Sequence, residues 1–300
     1  MAFKNLDQSN IYLNDNSSTY KKNIKSNKED IINCTAGIQY CYVNFVGQIY
    51  RCCAHASEIY RKMGTIFDLE NLDLNIDSIC NNFICQPVCD GIHTKQWKNK
   101  EEIFVVHKEP NVKNDDSTPN NIKKDNFLII AELMYGCTNK CIYCENTIRN
   151  HKIKFADSVN WINFLEKIND LRKGKKYINF AGLGESTLHP DFPLIIEKCS
   201  ELDYQIKIIT SALNYNDSVI KSIRKCSNNI YNISISLHPT SPLWNEKKIE
   251  YLIEIFKEEN ISFHLTLVKH QENVDKIPHL LKIASKFDKE ILIYELINHV

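Results

Sequence analysis

Residues 127–144 read Phe127-Leu-Ile-Ile-Ala-Glu132-Leu-Met-Tyr-Gly136-Cys137-Thr-Asn-Lys-Cys141-Ile-Tyr143-Cys144. An apolar run of strand length, Phe127–Met134, passes directly into a loop with three cysteines, and Glu132 stops its purely apolar part at Ala131. Such a loop sits at the C-terminal end of a strand, the edge that carries active sites in parallel α/β folds. Three thiolates separated by three and two residues can turn toward one polynuclear centre. A closed structural site wants four ligands, and no fourth cysteine follows nearby. His151 is the nearest substitute. Three ligands leave one metal position open, as a catalytic metal requires.

Working outward, strand-like runs recur at Tyr177–Ala181, Gln205–Thr210, Ile230–Leu237, Ile261–Val268 and Glu290–Ile297. Helix-length segments with a period near 3.6 lie between them. Trp161, Phe164, Leu165, Ile168 and Leu171 mark one helix face, with Asp157 or Ser158 as its cap. Six strands alternating with five helices imply a parallel sheet, because parallel neighbours need crossovers. Their apolar character suggests burial on both faces. An open doubly wound sheet and a partial barrel both fit this periodicity.

The chain has 300 residues, room for one large domain or one medium and one small. Lys+Arg and Asp+Glu both number 37, which argues against a strongly basic nucleic-acid or membrane surface. The N-terminal stretch has no signal-peptide pattern, and no apolar run approaches membrane-spanning length. We therefore expect a cytoplasmic protein with no membrane or nucleic-acid partner. Twelve cysteines are the unusual entry in the composition. Seven fall between Cys34 and Cys89, three between Cys137 and Cys144, and Cys199 and Cys226 stand alone as core thiols. In a reducing compartment, clusters of this kind indicate metal or redox chemistry. Residues 1–30 read as a disordered arm, 31–107 as a small Cys-rich α+β module, 108–126 as a linker, and 127–300 as the larger domain.

Three further loops belong with the cysteines. After the second strand comes Gly182-Leu-Gly184-Glu185-Ser-Thr-Leu-His189-Pro190-Asp191. Its glycines permit close backbone approach to a ligand, its carboxylate suits an ammonium, and His189–Asp191 reads as a turn and helix start. The third strand ends at Thr210-Ser211. In the fourth, Ser234 and Ser236 share a face by period two. His238 next to Pro239 reads as a surface loop histidine near the mouth.

Together these features resemble the radical S-adenosylmethionine (radical SAM) enzymes, over Phe127 to Val300. The resemblance implies a partial (β/α)6 barrel, open on one side. It implies that Cys137, Cys141 and Cys144 hold a [4Fe-4S] cluster whose open iron chelates S-adenosylmethionine. Tyr143 would lie against the adenine. Gly182, Gly184 and Glu185 would bind the methionine amino group, although Ser186 stands where the family usually has proline. Thr210, Ser211, Ser234 and Ser236 would contact the cosubstrate. The sixth strand ends close to Val300, so the barrel edge there needs cover from the N-terminal module, a partner or substrate.

Upstream, Cys34-Thr-Ala-Gly37 is followed by two strand-like runs that flank a hairpin at Gly47, then Cys52-Cys53, Met63–Ile66 and Cys80-x4-Cys85-x3-Cys89. This resembles the SPASM or twitch auxiliary-cluster module, here ahead of the barrel instead of behind it. It implies an auxiliary [4Fe-4S] cluster on Cys34, Cys52, Cys85 and Cys89, with Cys80 as first substitute. A zinc site on the same four thiolates is the alternative. Cys41 and Cys53 default to packing.

The expectation is an enzyme that cleaves S-adenosylmethionine reductively and abstracts hydrogen from a peptide or protein. A reductant such as flavodoxin or ferredoxin would supply the electron. The competing readings are a small-molecule substrate, such as a sugar or nucleotide derivative, and a non-catalytic zinc-binding interaction protein.

Overall fold

The computed structural model describes residues 31–33, 40–50, 62–70, 72, 96–97, 126–144, 147, 152–212 and 215–295. The arm at 1–30, nearly all of the linker, and Cys34, Cys52, Cys53, Cys80, Cys85 and Cys89 lie outside the described residues.

The strands are β1 (Ile31–Asn33), β2 (Tyr40–Val43), β3 (Gln48–Tyr50), β4 (Lys62–Thr65), β5 (Gln96–Trp97), β6 (Phe127–Ala131), β7 (Met134–Tyr135), β8 (Lys154–Phe155), β9 (Lys176–Phe180), β10 (Tyr204–Thr210), β11 (Ile230–Ser236), β12 (Phe263–Lys269) and β13 (Ile291–Glu295). The helices are α1 (Ser158–Leu171), α2 (Phe192–Glu201), α3 (Asp217–Lys225), α4 (Glu246–Glu258) and α5 (Ile277–Lys286). Local chemistry starts three of them. Asp157 caps α1 by accepting from the Asn160 N–H, Asn216 caps α3 through Val219 N, and Asn245 caps α4 through Lys248 N. None of the described helices is long and apolar enough to cross a membrane.

One nine-stranded sheet runs in the order β13-β12-β11-β10-β9-β6-β2-β3-β4. The six strands read from the sequence are all present and pair in parallel, in sequence order. Each of the five connections carries a helix, and the first, from β6 to β9, passes through the cysteine loop before α1. The Gly47 hairpin also forms, with antiparallel β2 and β3 and Gly47 at φ +73.

One expectation is corrected. Strand β6 is apolar on both faces, but β9–β12 are not. Alternation sends Ile129, Ile178, Phe180, Ile206, Ile208, Ile233, Ile235 and Leu265 into one cluster with Trp161, Phe164, Ile195 and Phe256 of the helices. The opposite, inner face carries Asn179, Lys207, Asn232, Ser234, Ser236, His264 and Thr266, as the strand register requires. A partial barrel needs this division, with an apolar belt against its helices and a polar interior. Of the N-terminal strands, β2, β3 and β4 extend the sheet beyond the first barrel strand, with β2 parallel to β6, and β1 and β5 pair in a separate sheet. Among the described residues, no strand pairs with the far side of β13.

Candidate functional site

The three-cysteine loop is held at both ends. Met134 and Tyr135 of β7 pair with Phe155 and Lys154 of β8, so residues 136–153 leave and return through a short antiparallel ribbon. Gly136 opens the loop at φ +85, and a Cβ there would sit 3.0 Å from the Ile153 backbone. Cys137, Cys141 and Cys144 are half-buried. The Asn139 N–H points to the Cys137 sulfur at 3.3 Å, and the Cys144 N–H donates to the Cys141 carbonyl at 3.0 Å. Burial pushes the Cys137 thiol up to about 11, and the nearby Glu185 and Cys144 charges add to this. Burial, with Cys144 and Cys137 beside it, pushes Cys141 up to about 12. Among the described residues no three Cys, His, Asp or Glu side chains are gathered to hold a single metal ion. The donor set itself fits a cationic iron–sulfur cluster. Three neighbouring thiolates repel one another, and only bound positive charge lets them coexist half-buried.

The Gly–Glu loop lies alongside. Glu185 is buried and its carboxylate is fully engaged. One oxygen accepts from Thr187 Oγ1 (2.7 Å) and Thr210 Oγ1 (2.8 Å), the other from Ser211 N (2.7 Å) and Ser211 Oγ (2.8 Å). Glu185 thus ties its loop to the end of β10, a structural role beyond the ammonium pairing expected of it. The two glycines also serve the protein itself. A Cβ on Gly184 would lie 2.4 Å from the Met134 carbonyl oxygen, and one on Gly182 would lie 2.7 Å from Glu132 Oε1. They let the loop press against the segment that launches the cysteines.

Glu132 is the residue that sequence reasoning underrated. Read only as the end of an apolar run, it is buried and accepts from Leu183 N (2.7 Å), Tyr42 Oη (3.0 Å) and the Phe45 backbone. Burial nevertheless holds its pKa above the ordinary carboxylate value. A carboxylate just before a cysteine loop was the one available signal.

At the other rim the surface-loop reading of His238 fails. Its Nδ1 lies 2.9 Å from Tyr143 Oη and 3.3 Å from Cys141 Sγ, and burial pushes the imidazole down to about 4. The Tyr143 ring also faces His270, with centroids 5.6 Å apart. Ser241 Oγ donates to Asn139 Oδ1 inside the cysteine loop. Ser234 is buried on the inner face, and Ser236 Oγ pairs with Thr266 Oγ1 at 3.2 Å. His189 is structural. It accepts from Asp191 N at Nδ1, so its Nε2 carries the proton given to the Ala156 carbonyl at 2.9 Å. Cys41, Cys199 and Cys226 are buried in the core, as expected.

A parallel partial barrel with a three-thiol loop after its first strand and a glycine–glutamate loop after its second defines a class of cluster-dependent enzymes. The family model described as the radical SAM superfamily matches residues 131–284, just over half of the sequence, and the chain belongs to that superfamily. Among curated proteins it is similar to the PqqA peptide cyclases of Granulibacter bethesdensis and Gluconobacter oxydans. Both are 23% identical, over 52% of this chain and 43% and 45% of theirs. The matched region therefore spans less than half the length of those relatives. Among solved structures, Streptococcus suis SuiB bound to S-adenosylmethionine aligns at 18% identity and a TM-score of 0.44, over 57% of this chain and 41% of that one.

Proposed function

We propose that this chain reductively cleaves S-adenosylmethionine and uses the resulting radical to abstract hydrogen from a peptide or protein. The observation that carries the reading is the convergence of the three-thiol loop, Tyr143 and the Gly–Glu loop at one end of the barrel sheet, with Glu185 close enough to perturb Cys137. When bound, a [4Fe-4S] cluster supplies the electron that cleaves the cosubstrate to methionine and a 5′-deoxyadenosyl radical. Cys137, Cys141 and Cys144 would hold it.

The chain's own residues position the cosubstrate. Glu185 receives the methionine ammonium. The Thr187, Thr210 and Ser211 hydroxyls can each turn their proton away, so one can yield to the stronger charged donor while the Ser211 N–H keeps the carboxylate in place. Tyr143 stacks on the adenine, with His238 fixing its hydroxyl. Ser234 and Ser236 face the cosubstrate from the inner wall. A peptide substrate is supported by what the relatives are named for, peptide cyclases. An auxiliary cluster on Cys34, Cys52, Cys85 and Cys89, or with Cys80, is supported by sequence spacing alone. Flavodoxin or ferredoxin as reductant follows from the family resemblance alone.

Anaerobic reconstitution with iron and sulfide, reduction, and addition of S-adenosylmethionine tests the reading. It expects 5′-deoxyadenosine, lost in Cys137→Ala. Zinc alone in the purified protein with no 5′-deoxyadenosine would overturn it.

A further inference from the structure

Among the described side chains, the inner face of the barrel sheet carries one lysine and no carboxylate. Strands β6 and β9–β13 contain no Asp, and no Glu before Glu295, the last residue of β13. Register places Asn179 beside Lys207, Lys207 beside Asn232, and Ser234 beside His264. Lys207 is half-buried and has no carboxylate or hydrogen-bond acceptor among the described residues. Asn232 is 5% exposed, and its Oδ1 is buried with no hydrogen-bond partner. The neighbouring carbonyl of Asn179, by contrast, is occupied by Tyr231 Oη at 3.0 Å. His264 is held neutral by burial and by the charges of Lys207 and Lys289. An ammonium without a partner among the described residues, in a half-buried wall, costs desolvation that none of them offsets, as is typical of a site completed by a ligand.

We propose that Lys207, flanked by Asn232 and His264, anchors a carboxylate of the substrate within the barrel. Lys207 stands three residues before Thr210, ~10 Å along the strand from the end where Glu185 and the cysteine loop meet. A carboxylate held there leaves a neighbouring peptide group at the strand ends, where hydrogen abstraction occurs. Asn232 supplies the acceptor for an accompanying amide N–H. The inference rests on the radical SAM reading and narrows its substrate to peptides with an acidic group.

The test measures binding of three capped peptides to the reconstituted protein with S-adenosylmethionine present. Ac-Ala-Glu-Ala-amide presents a side-chain carboxylate and Ac-Ala-Gln-Ala-amide none. Ac-Ala-Gln-Ala with a free C-terminus presents a main-chain one. At least one carboxylate peptide is expected to bind about tenfold more tightly than the neutral one. Which one does so identifies the source of the carboxylate. The preference disappears in Lys207→Met and survives in Lys207→Arg. Should Lys207→Met fail to fold, amine acylation of the wild-type protein read by mass spectrometry substitutes for it. The preferred peptide must then protect Lys207 and the neutral one must not. Equal binding of all three peptides overturns the inference, as does a preference that persists in Lys207→Met. It also falls if Lys207→Met weakens S-adenosylmethionine binding and leaves the peptide preference intact. Formation of 5′-deoxyadenosine by the same wild-type preparation shows separately whether the radical reading itself stands.

Discussion

Gly184 and His264 show how much of this site is decided by single side chains. At Gly184 a methyl group would meet the Met134 carbonyl oxygen at 2.4 Å and Met134 Cγ at 2.6 Å. The first contact is backbone in the segment that launches the cysteines, so it cannot rotate away. Gly184→Ala should therefore cost about 1–3 kcal/mol of stability, read as a lower urea midpoint, and weaken S-adenosylmethionine binding in parallel. His264 makes a pH prediction. Burial first, then the Lys207 and Lys289 charges, holds its imidazole at about 4 against an ordinary 6.5. Below 6.5 the unfolded chain takes up a proton that the folded chain refuses. Stability from the neutral ring is thus present above pH 6.5 and lost as pH falls toward 4, at most about 1.4 kcal/mol per pH unit. Urea midpoints at pH 7.5 and 5.0 should converge in His264→Gln relative to wild type. An unchanged difference would show that His264 titrates normally. In the sequence, spacing marks the cysteine triad, and the family resemblance of the glycine–glutamate loop marks Glu185. Lys207 was not, because Ile206, Ile208 and Ile209 make its strand look apolar throughout, and Ile209 breaks the alternation that would expose the polar face.

The elements were legible where their signal is local. Asp157 capping α1, the apolar face from Trp161 to Ile168, and the six barrel strands all follow from neighbours a few residues apart. The parallel pairing of β2 with β6 does not, because nothing near Tyr40 names a partner more than 80 residues away. Likewise, His238 meets Cys141 across 97 positions. The β2–β3 hairpin acts on the site through Glu132, which accepts from Tyr42 Oη and the Phe45 backbone. Tyr42 Oη and Leu183 N both donate to Glu132, so the hairpin and the Gly–Glu loop share a buried carboxylate. Tyr42→Phe leaves a carboxylate oxygen short of a donor, at a cost of about 1–2 kcal/mol in chemical denaturation. In a double-mutant cycle with Glu132→Gln, the two substitutions should cost less together than the sum of their separate costs, because they share one interaction. Strict additivity would mean that the hydrogen bond contributes nothing to holding the loop.

At the scale of the molecule, the question is whether the N-terminal strands and the barrel are one body. Composition suggests two, divided by a polar linker. The packing argues for a shared core. Cys41, Val43, Ile49 and Ile66 are buried in the same apolar cluster as Ile129, Phe180 and Trp161. Strand β2 closes the hydrogen bonds of β6, which would otherwise be an edge at the base of the cysteine loop. If that cluster behaves as one cooperative unit, β2 can open only when the barrel opens. Native-state hydrogen exchange followed by mass spectrometry should then give Tyr40–Val43 the same opening free energy as Phe127–Ala131 and Lys176–Phe180. Tyr42→Phe should lower all three together. Exchange at Tyr40–Val43 faster by orders of magnitude would mean that the N-terminal strands are a detachable module. In that case the Glu132 bridge would be a contact made after the catalytic sheet is already complete.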